Sequence, residues 1–348
     1  VRTGYDSVIA HRTSSMFAFT ARKPGTVRSV EAKGIIVDYD DETVQGYELG
    51  RRYGNAAGLT VAHNIVSSLR VGDKVAVGDV VCYNDGFFEP DFFNPKEVVW
   101  KNATNVKTVL WESAQTLEDA SLISKRVGDK LSTKITKVKN IVLTFDQSIS
   151  RLVKVGSAVE ADTILCIIED AITADNKLFD EQSLDTLRAL SAQTPRAHVK
   201  GVVEKIEVFY HGDKDDMSEP LKALASSSDK ELKQFAQATA RTVYTGSVDG
   251  GFRIEGNPLV LDSLAVRIYI TSTVGAGLGD KGAFCNQLKT VFSEVMDDDL
   301  ISENGDIIDA AFGGTSIAAR IVNSPDIIGT TNTLLKVITK KALALYRS

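Results

Sequence analysis

The chain has 348 residues, 43% hydrophobic and 25% charged, the balance of a globular protein with a sizeable core and room for two or three domains. Its net charge of −6 excludes a surface coated in basic side chains, so any contact with nucleic acid must be focal or shared with partners. No apolar run approaches the roughly 20 residues that span a bilayer, so no membrane contact is expected.

The opening Val1-Arg2-Thr3-Gly4 lacks the basic and apolar stretches of a secretory signal. With no starting Met, the chain is expected to be trimmed or incomplete. Strand signals dominate residues 1–170. Residues 25–38 alternate apolar and polar and are broken by glycine, as in a hairpin. Residues 71–81 repeat Val-Gly-Asp, and 153–165 repeat the style; short strands joined by Gly-Asp turns fit small barrel domains. Apolar residues every three positions predict an amphipathic helix over 181–193, ahead of Pro195. Alternation resumes over 198–210. Residues 221–241 are polar, with helical spacing at Leu224, Leu232 and Phe235, and read as an exposed helical or partly ordered excursion. A strand over 264–271 leads into the glycine-rich 275–282. Glu303-Asn304-Gly305 is a turn, and 330–347 closes the chain as a helix.

Cys82, Cys166 and Cys285 form no CxxC pair and read as buried free thiols; His11, His63, His198 and His211 form no metal-binding motif. Three other clusters carry candidate chemistry. Glu118-Asp119 sits before an apolar stretch; on a flat strand the two would face opposite sides unless the backbone turns there, and alone the pair fits a solvated turn. Gly279-Asp280-Lys281-Gly282 precedes Lys289. A fully extended chain would hold the two lysines roughly 27 Å apart, so acting on one ligand requires a fold-back, which Gly282 would allow. Two ammonium groups meeting at a triphosphate would neutralise the charge that builds as pyrophosphate leaves. Surface lysines on a glycine turn are the plainer reading, and the order of residues excludes a Walker A loop. Arg320 lies in the apolar run 312–323 and needs an anion if buried: a phosphate, or a structural ion pair with Asp297, Asp298 or Asp306.

Taken in order, these pieces resemble the β subunit of cellular-type, multisubunit DNA-dependent RNA polymerases, in its C-terminal half. Residues 21–42 look like the family's glycine-rich hairpin region. Tyr47–Asn55 is similar to its Tyr-x-Leu-x-Lys-Tyr-x-Arg-Ser-Asn segment, and 71–79 to its Gly-x-x-Val-x-x-Gly-Asp turn. Glu118-Asp119-Ala120 with 122–126 resembles Glu-Asp-Ser/Ala-Ile-Leu-x-Ser-Glu-Arg. Gly279-Asp280-Lys281 and Lys289 match Gly-Asp-Lys…Asn-Lys-Gly at the same lysine spacing. Glu303–Asp309 resembles the acidic turn before Val-Asp-Ile-Val, and Ser316–Arg320 lies where the family has Pro-Ser-Arg-Met, without the proline.

The resemblance implies a mainly β fold with short helices: a double-psi β-barrel split by an inserted flap. The divisions expected are 1–125 (hairpin region and first barrel part), 126–260 (flap) and 261–348 (second barrel part and C-terminal helix). Lys281 and Lys289 would lie by the RNA 3′ end and the nucleotide phosphates, Arg320 on the β or γ phosphate, and Glu118 and Asp119 near the catalytic metals, through water. Mg²⁺ would be held mainly by a β′-like partner, since the family's Asn-Ala-Asp-Phe-Asp-Gly-Asp motif is missing from this chain. Other implied partners are an N-terminal β-like subunit, a specificity factor at the 181–193 helix, template DNA, product RNA and NTPs. Phe284–Leu288 replaces the family's Arg-His-Gly, and the flap is short. Both point to a split subunit of a large bacteriophage polymerase, in the host cytoplasm or phage-associated, inactive alone. A noncatalytic assembly or regulatory protein on the same barrel is the alternative.

Overall fold

The computed structural model describes residues 4–347 apart from 57, 92–93, 95, 102, 171–191, 243–244, 286, 298 and 321–322. Strand exceeds helix, 41% against 22%, so the fold is mainly β. No described sheet closes into a barrel. Among the described residues no helix is long and apolar enough to cross a membrane.

The chain forms two compact units, one of residues 1–102 and 134–273, the other of 103–133 and 274–348. Divisions are expected at 125/126 and 260/261; the chain passes between the units at 102/103, 133/134 and 273/274. The stretch 134–273 shares a unit with 1–102 because its strands continue the same sheet. That eight-stranded sheet runs, in spatial order, Ala18–Thr20, Val80–Asn84, Leu59–Val66, Thr133–Thr144, Ser263–Val274, Gly201–His211, Ala158–Val159, with Gly50–Ala56 paired to Leu59–Val66.

The expected hairpin is present as Gly25–Glu31 against Gly34–Tyr39. The repeated Gly-Asp steps are turns of one kind. Gly72 and Gly78 take positive φ (88° and 94°). The carboxylates of Asp73 and Asp79 accept the main-chain N–H of Arg70 and Ala76 at 2.7 and 2.9 Å. The helix predicted over 181–193 lies, except for its last two residues, outside the described residues.

Residues 221–241 differ from the expected exposed excursion. Glu219–Ala238 is a packed helix that buries Leu221, Ala225 and Ala236. Gly34 and Gly46 let its C-terminal end approach closely: a Cβ on them would lie 2.4 and 1.6 Å from the carbonyl oxygens of Ala238 and Thr239. Asp229, also buried, accepts hydrogen bonds from Tyr210 Oη (3.0 Å), Lys214 Nζ (2.7 Å) and the Gly246 N–H (2.8 Å). Spacing rules alone discount a polar face whose charge is satisfied inside. Cys82 and Cys166 are buried free thiols as expected, pushed by burial up to about 12 and about 11; Cys285 is only half-buried.

The second unit is built on a five-stranded sheet in the order Thr108–Leu110, Ala310–Phe312, Ala120–Ser124, Leu288–Met296, Lys281–Phe284. Two of its pairings are parallel and join strands from distant parts of the chain: Thr108–Leu110 with Ala310–Phe312, and Ala120–Ser124 with Leu288–Met296. Ile123, Val127, Phe292 and Ala310 form its core. Ser124 caps the short helix Lys125–Lys130 by accepting the Val127 N–H. Arg126 pairs with Asp309, whose second oxygen accepts the Lys107 N–H at 2.8 Å. Burial would raise the Asp309 pKa, but these two partners outweigh it and hold the carboxyl below its ordinary value. The chain closes with helices Gly314–Arg320 and Ser324–Arg347, the second starting six residues before the expected 330.

Candidate functional site

The site begins with a turn. Asp280 accepts the Gly277 N–H at 2.9 Å, while Gly279 adopts φ 86°. The Gly-Asp pair thus sets the entry of the strand that starts at Lys281. Lys281–Phe284 pairs antiparallel with Leu288–Met296, Lys281 opposite Val291 and Ala283 opposite Lys289. Opposed residues share a face, and so do residues two apart. Lys281, Ala283, Lys289 and Val291 therefore form one exposed face, and Leu288, Thr290 and Phe292 are buried on the other. Lys281 and Lys289 are diagonal neighbours, which places their Cα atoms roughly 7–8 Å apart.

The fold-back is not made where the sequence suggests. The chain reverses after Phe284, with Cys285 at φ 51° and the Gln287 N–H bonded to the Phe284 carbonyl at 3.1 Å. Gly282 lies inside the strand, because a Cβ there would meet the Phe292 ring at 2.6 Å. Its absent side chain is required by packing, not by the turn.

Asp119 and Arg320 lie beside this face. Val291 donates its N–H to the Asp119 carbonyl at 2.8 Å, next to the register pair Ala120–Val291. The Lys289 carbonyl points to the same side as the Val291 N–H, just ahead of the paired stretch. Arg320 Nη2 occupies that position, bonding the Lys289 carbonyl at 3.0 Å and pairing with the Asp119 carboxylate. Arg320 is half-buried and Asp119 exposed, at 27% and 68% of the side chain. Arg320 thus has an ion pair, but with Asp119. Of the acids considered from sequence, Asp306 pairs with Lys107 and Asp298 is outside the described residues. The backbone does turn at the carboxylate pair: Glu118 has φ 52°, and its carbonyl accepts the Ser316 hydroxyl. The Glu118 carboxylate is exposed.

Glu112 is the residue that sequence reasoning misses. Its carboxylate accepts the Thr315 N–H at 2.7 Å and the Thr315 hydroxyl at 2.8 Å, fixing the start of the helix that ends in Arg320. Those bonds hold its pKa below the ordinary carboxylate value. Gly313 admits this contact, since a Cβ there would lie 2.9 Å from a Glu112 oxygen. The signal available was Gly313-Gly314-Thr315 following a strand, which calls for an acceptor at the first helical N–H groups.

Among the described residues no three His, Cys, Asp or Glu side chains come together as metal ligands. Glu118 and Asp119 have no third such ligand beside them among the described residues, and Asp119 pairs with Arg320. No known family model matches this chain, and neither does any curated protein.

Proposed function

We propose that this chain is a β-like subunit of a DNA-dependent RNA polymerase, whose lysine hairpin and Arg320 grip the incoming nucleotide's phosphates. The observation that carries the reading is the common exposed face of Lys281 and Lys289, with Arg320 bonded to the Lys289 main chain. Five residues from three distant segments, Glu118, Asp119, Lys281, Lys289 and Arg320, fall at one end of one sheet.

In this reading, the RNA 3′ oxygen attacks the α-phosphorus and the bond to the β-phosphate breaks. The two ammonium groups neutralise the charge accumulating on the departing pyrophosphate. Arg320 exchanges Asp119 for a phosphate, which its planar fork can contact with two N–H groups. Asp119 then holds the guanidinium in place when no nucleotide is bound. Mg²⁺ belongs to a β′-like partner in this proposal, and no step is routed through it. The finer fold, a double-psi barrel interrupted by a flap, goes with the same reading. It is supported by the two parallel pairings between strands on either side of 134–273.

A scaffold or regulatory role on the same architecture has one observation in its favour: Arg320 is already neutralised by Asp119. Isolation of the native complex separates the two. A large partner with an aspartate-rich metal loop, together with template-directed RNA synthesis, supports the polymerase reading. A complex without either supports the scaffold.

A further inference from the structure

The unit of residues 1–102 and 134–273 contains an open cleft of about 360 Å³, lined by Arg51, Arg52, Tyr53, Lys205, Arg241 and Tyr269 among others. That volume falls within the range of small-ligand sites, about 300–1,000 Å³. The positions follow from the strand register. Lys205 stands opposite Tyr269, immediately after an irregularity at Glu204. Tyr53 stacks on Tyr269 with ring centroids 4.3 Å apart, which fixes the wall between the two strands.

The charge here is unbalanced. Arg51, Arg52, Lys205, Arg241 and the neighbouring Arg267 face Glu48, Glu204 and Glu207, five cations against three carboxylates. Glu48 is shared by two arginines at long range, 3.4 Å from Arg52 and 3.6 Å from Arg241. The Arg52 side chain is only 13% exposed, and its Nε is buried without a hydrogen-bond partner among the described residues. A buried donor left unpaired is costly, and most such groups in folded proteins have a partner. A surplus of two positive charges inside a concave surface, in a chain of net charge −6, focuses the field on an anion.

We propose that this cleft binds a phosphate group, of a free nucleotide or of a nucleic-acid strand, with Arg51, Arg52 and Arg241 as its ligands. Guanidinium forks suit phosphate oxygens; the monoester of a free nucleotide carries about −1.5 to −2 charge at neutral pH, and two neighbouring diesters of a strand carry about −2 together, so either source matches the surplus. The site lies in a different unit from Lys281 and Lys289 and stands independently of the polymerase reading.

The test uses the purified full chain. Calorimetry measures inorganic phosphate and thymidine monophosphate; fluorescence anisotropy measures a short labelled oligothymidylate. Arg52 is too buried for its substitution alone to be decisive, so the variant is Arg51→Gln with Arg241→Gln, whose side chains are 28% and 44% exposed. Saturable binding of at least one probe is expected, weakened about tenfold or more in that double variant with an unchanged circular dichroism spectrum. It should be unchanged in Lys230→Ala/Lys233→Ala, two exposed lysines of the Glu219–Ala238 helix that do not line the cleft. Preference for the mononucleotide identifies a free nucleotide as the source; preference for the oligonucleotide, with a steep salt dependence, identifies a strand. Failure of all three probes to saturate, equal affinity in the arginine variant, or loss in the lysine variant alone overturns the proposal.

Discussion

Gly282→Ala should destabilise the second unit although it adds a single methyl group. At a tolerant strand position, replacing glycine by alanine stabilises by about 0.4–1 kcal/mol through the unfolded chain. Here the new Cβ would sit 2.6 Å from two atoms of the Phe292 ring. Phe292 is 4% exposed and packs with Ile123, Val127 and Ala310, so the ring has nowhere to go. Overpacking of this kind costs about 1–3 kcal/mol, leaving a net loss of about 1–2 kcal/mol. The assay is urea unfolding of the full chain followed by Trp111 fluorescence, in a Trp100→Phe background that removes the tryptophan of the other unit. Phe292→Leu makes room for the methyl. The double variant should therefore be more stable than the two single losses predict, by about 1 kcal/mol. A Gly282→Ala chain as stable as wild type, or a double variant additive within about 0.5 kcal/mol, would refute the packing role given to Gly282.

Gly46→Ala drives a Cβ to 1.6 Å from the Thr239 carbonyl oxygen and should cost about 3 kcal/mol or more, seen as a lowered melting temperature. Burial would raise the Asp229 pKa, but the Gly246 N–H, Lys214 and Tyr210 outweigh it and hold it below the ordinary carboxylate value. A depressed folded-state pKa gives stability that is present above the unfolded value and is lost as pH falls through the folded one. Wild type should therefore lose stability below about pH 4 more steeply than Asp229→Asn, in urea melts across pH. Glu112→Ala frees the start of the arginine helix; if the polymerase reading holds, it should lower nucleotide incorporation by the reconstituted complex about tenfold by misplacing Arg320, with assembly unchanged in gel filtration.

Local rules made much of this architecture legible. The alternation over 25–38 and the Gly-Asp steps at 72–73 and 78–79 name their own hairpin and turns, because the needed positive φ and carboxylate acceptor lie within a few residues. The lysine pair was legible as a spacing that required a reversal, but not the place of the reversal. Cys285 takes the positive φ that glycine was expected to supply, because Gly282 is needed where Phe292 packs. Partners distant in sequence stayed hidden. Arg126 and Asp309 are 183 residues apart, as are no two groups a periodicity argument can join, and their ion pair gives both motifs a structural reason. Arg320 finds Asp119 across 201 residues, which makes the arginine and the carboxylate one feature instead of two. The burial of Asp229 likewise depends on Lys214 and Tyr210, which no helical wheel places beside it.

The proposed grip on a triphosphate is tested most directly by single-nucleotide incorporation in the reconstituted complex, comparing wild type with Lys281→Ala, Lys289→Ala and Arg320→Ala. On the polymerase reading each would lose a charge-assisted contact to a phosphate that strengthens as pyrophosphate departs, so kcat/KM should fall about 100-fold or more while the subunits still co-purify. Incorporation kinetics indistinguishable from wild type in all three variants would contradict a phosphate-binding role for this face.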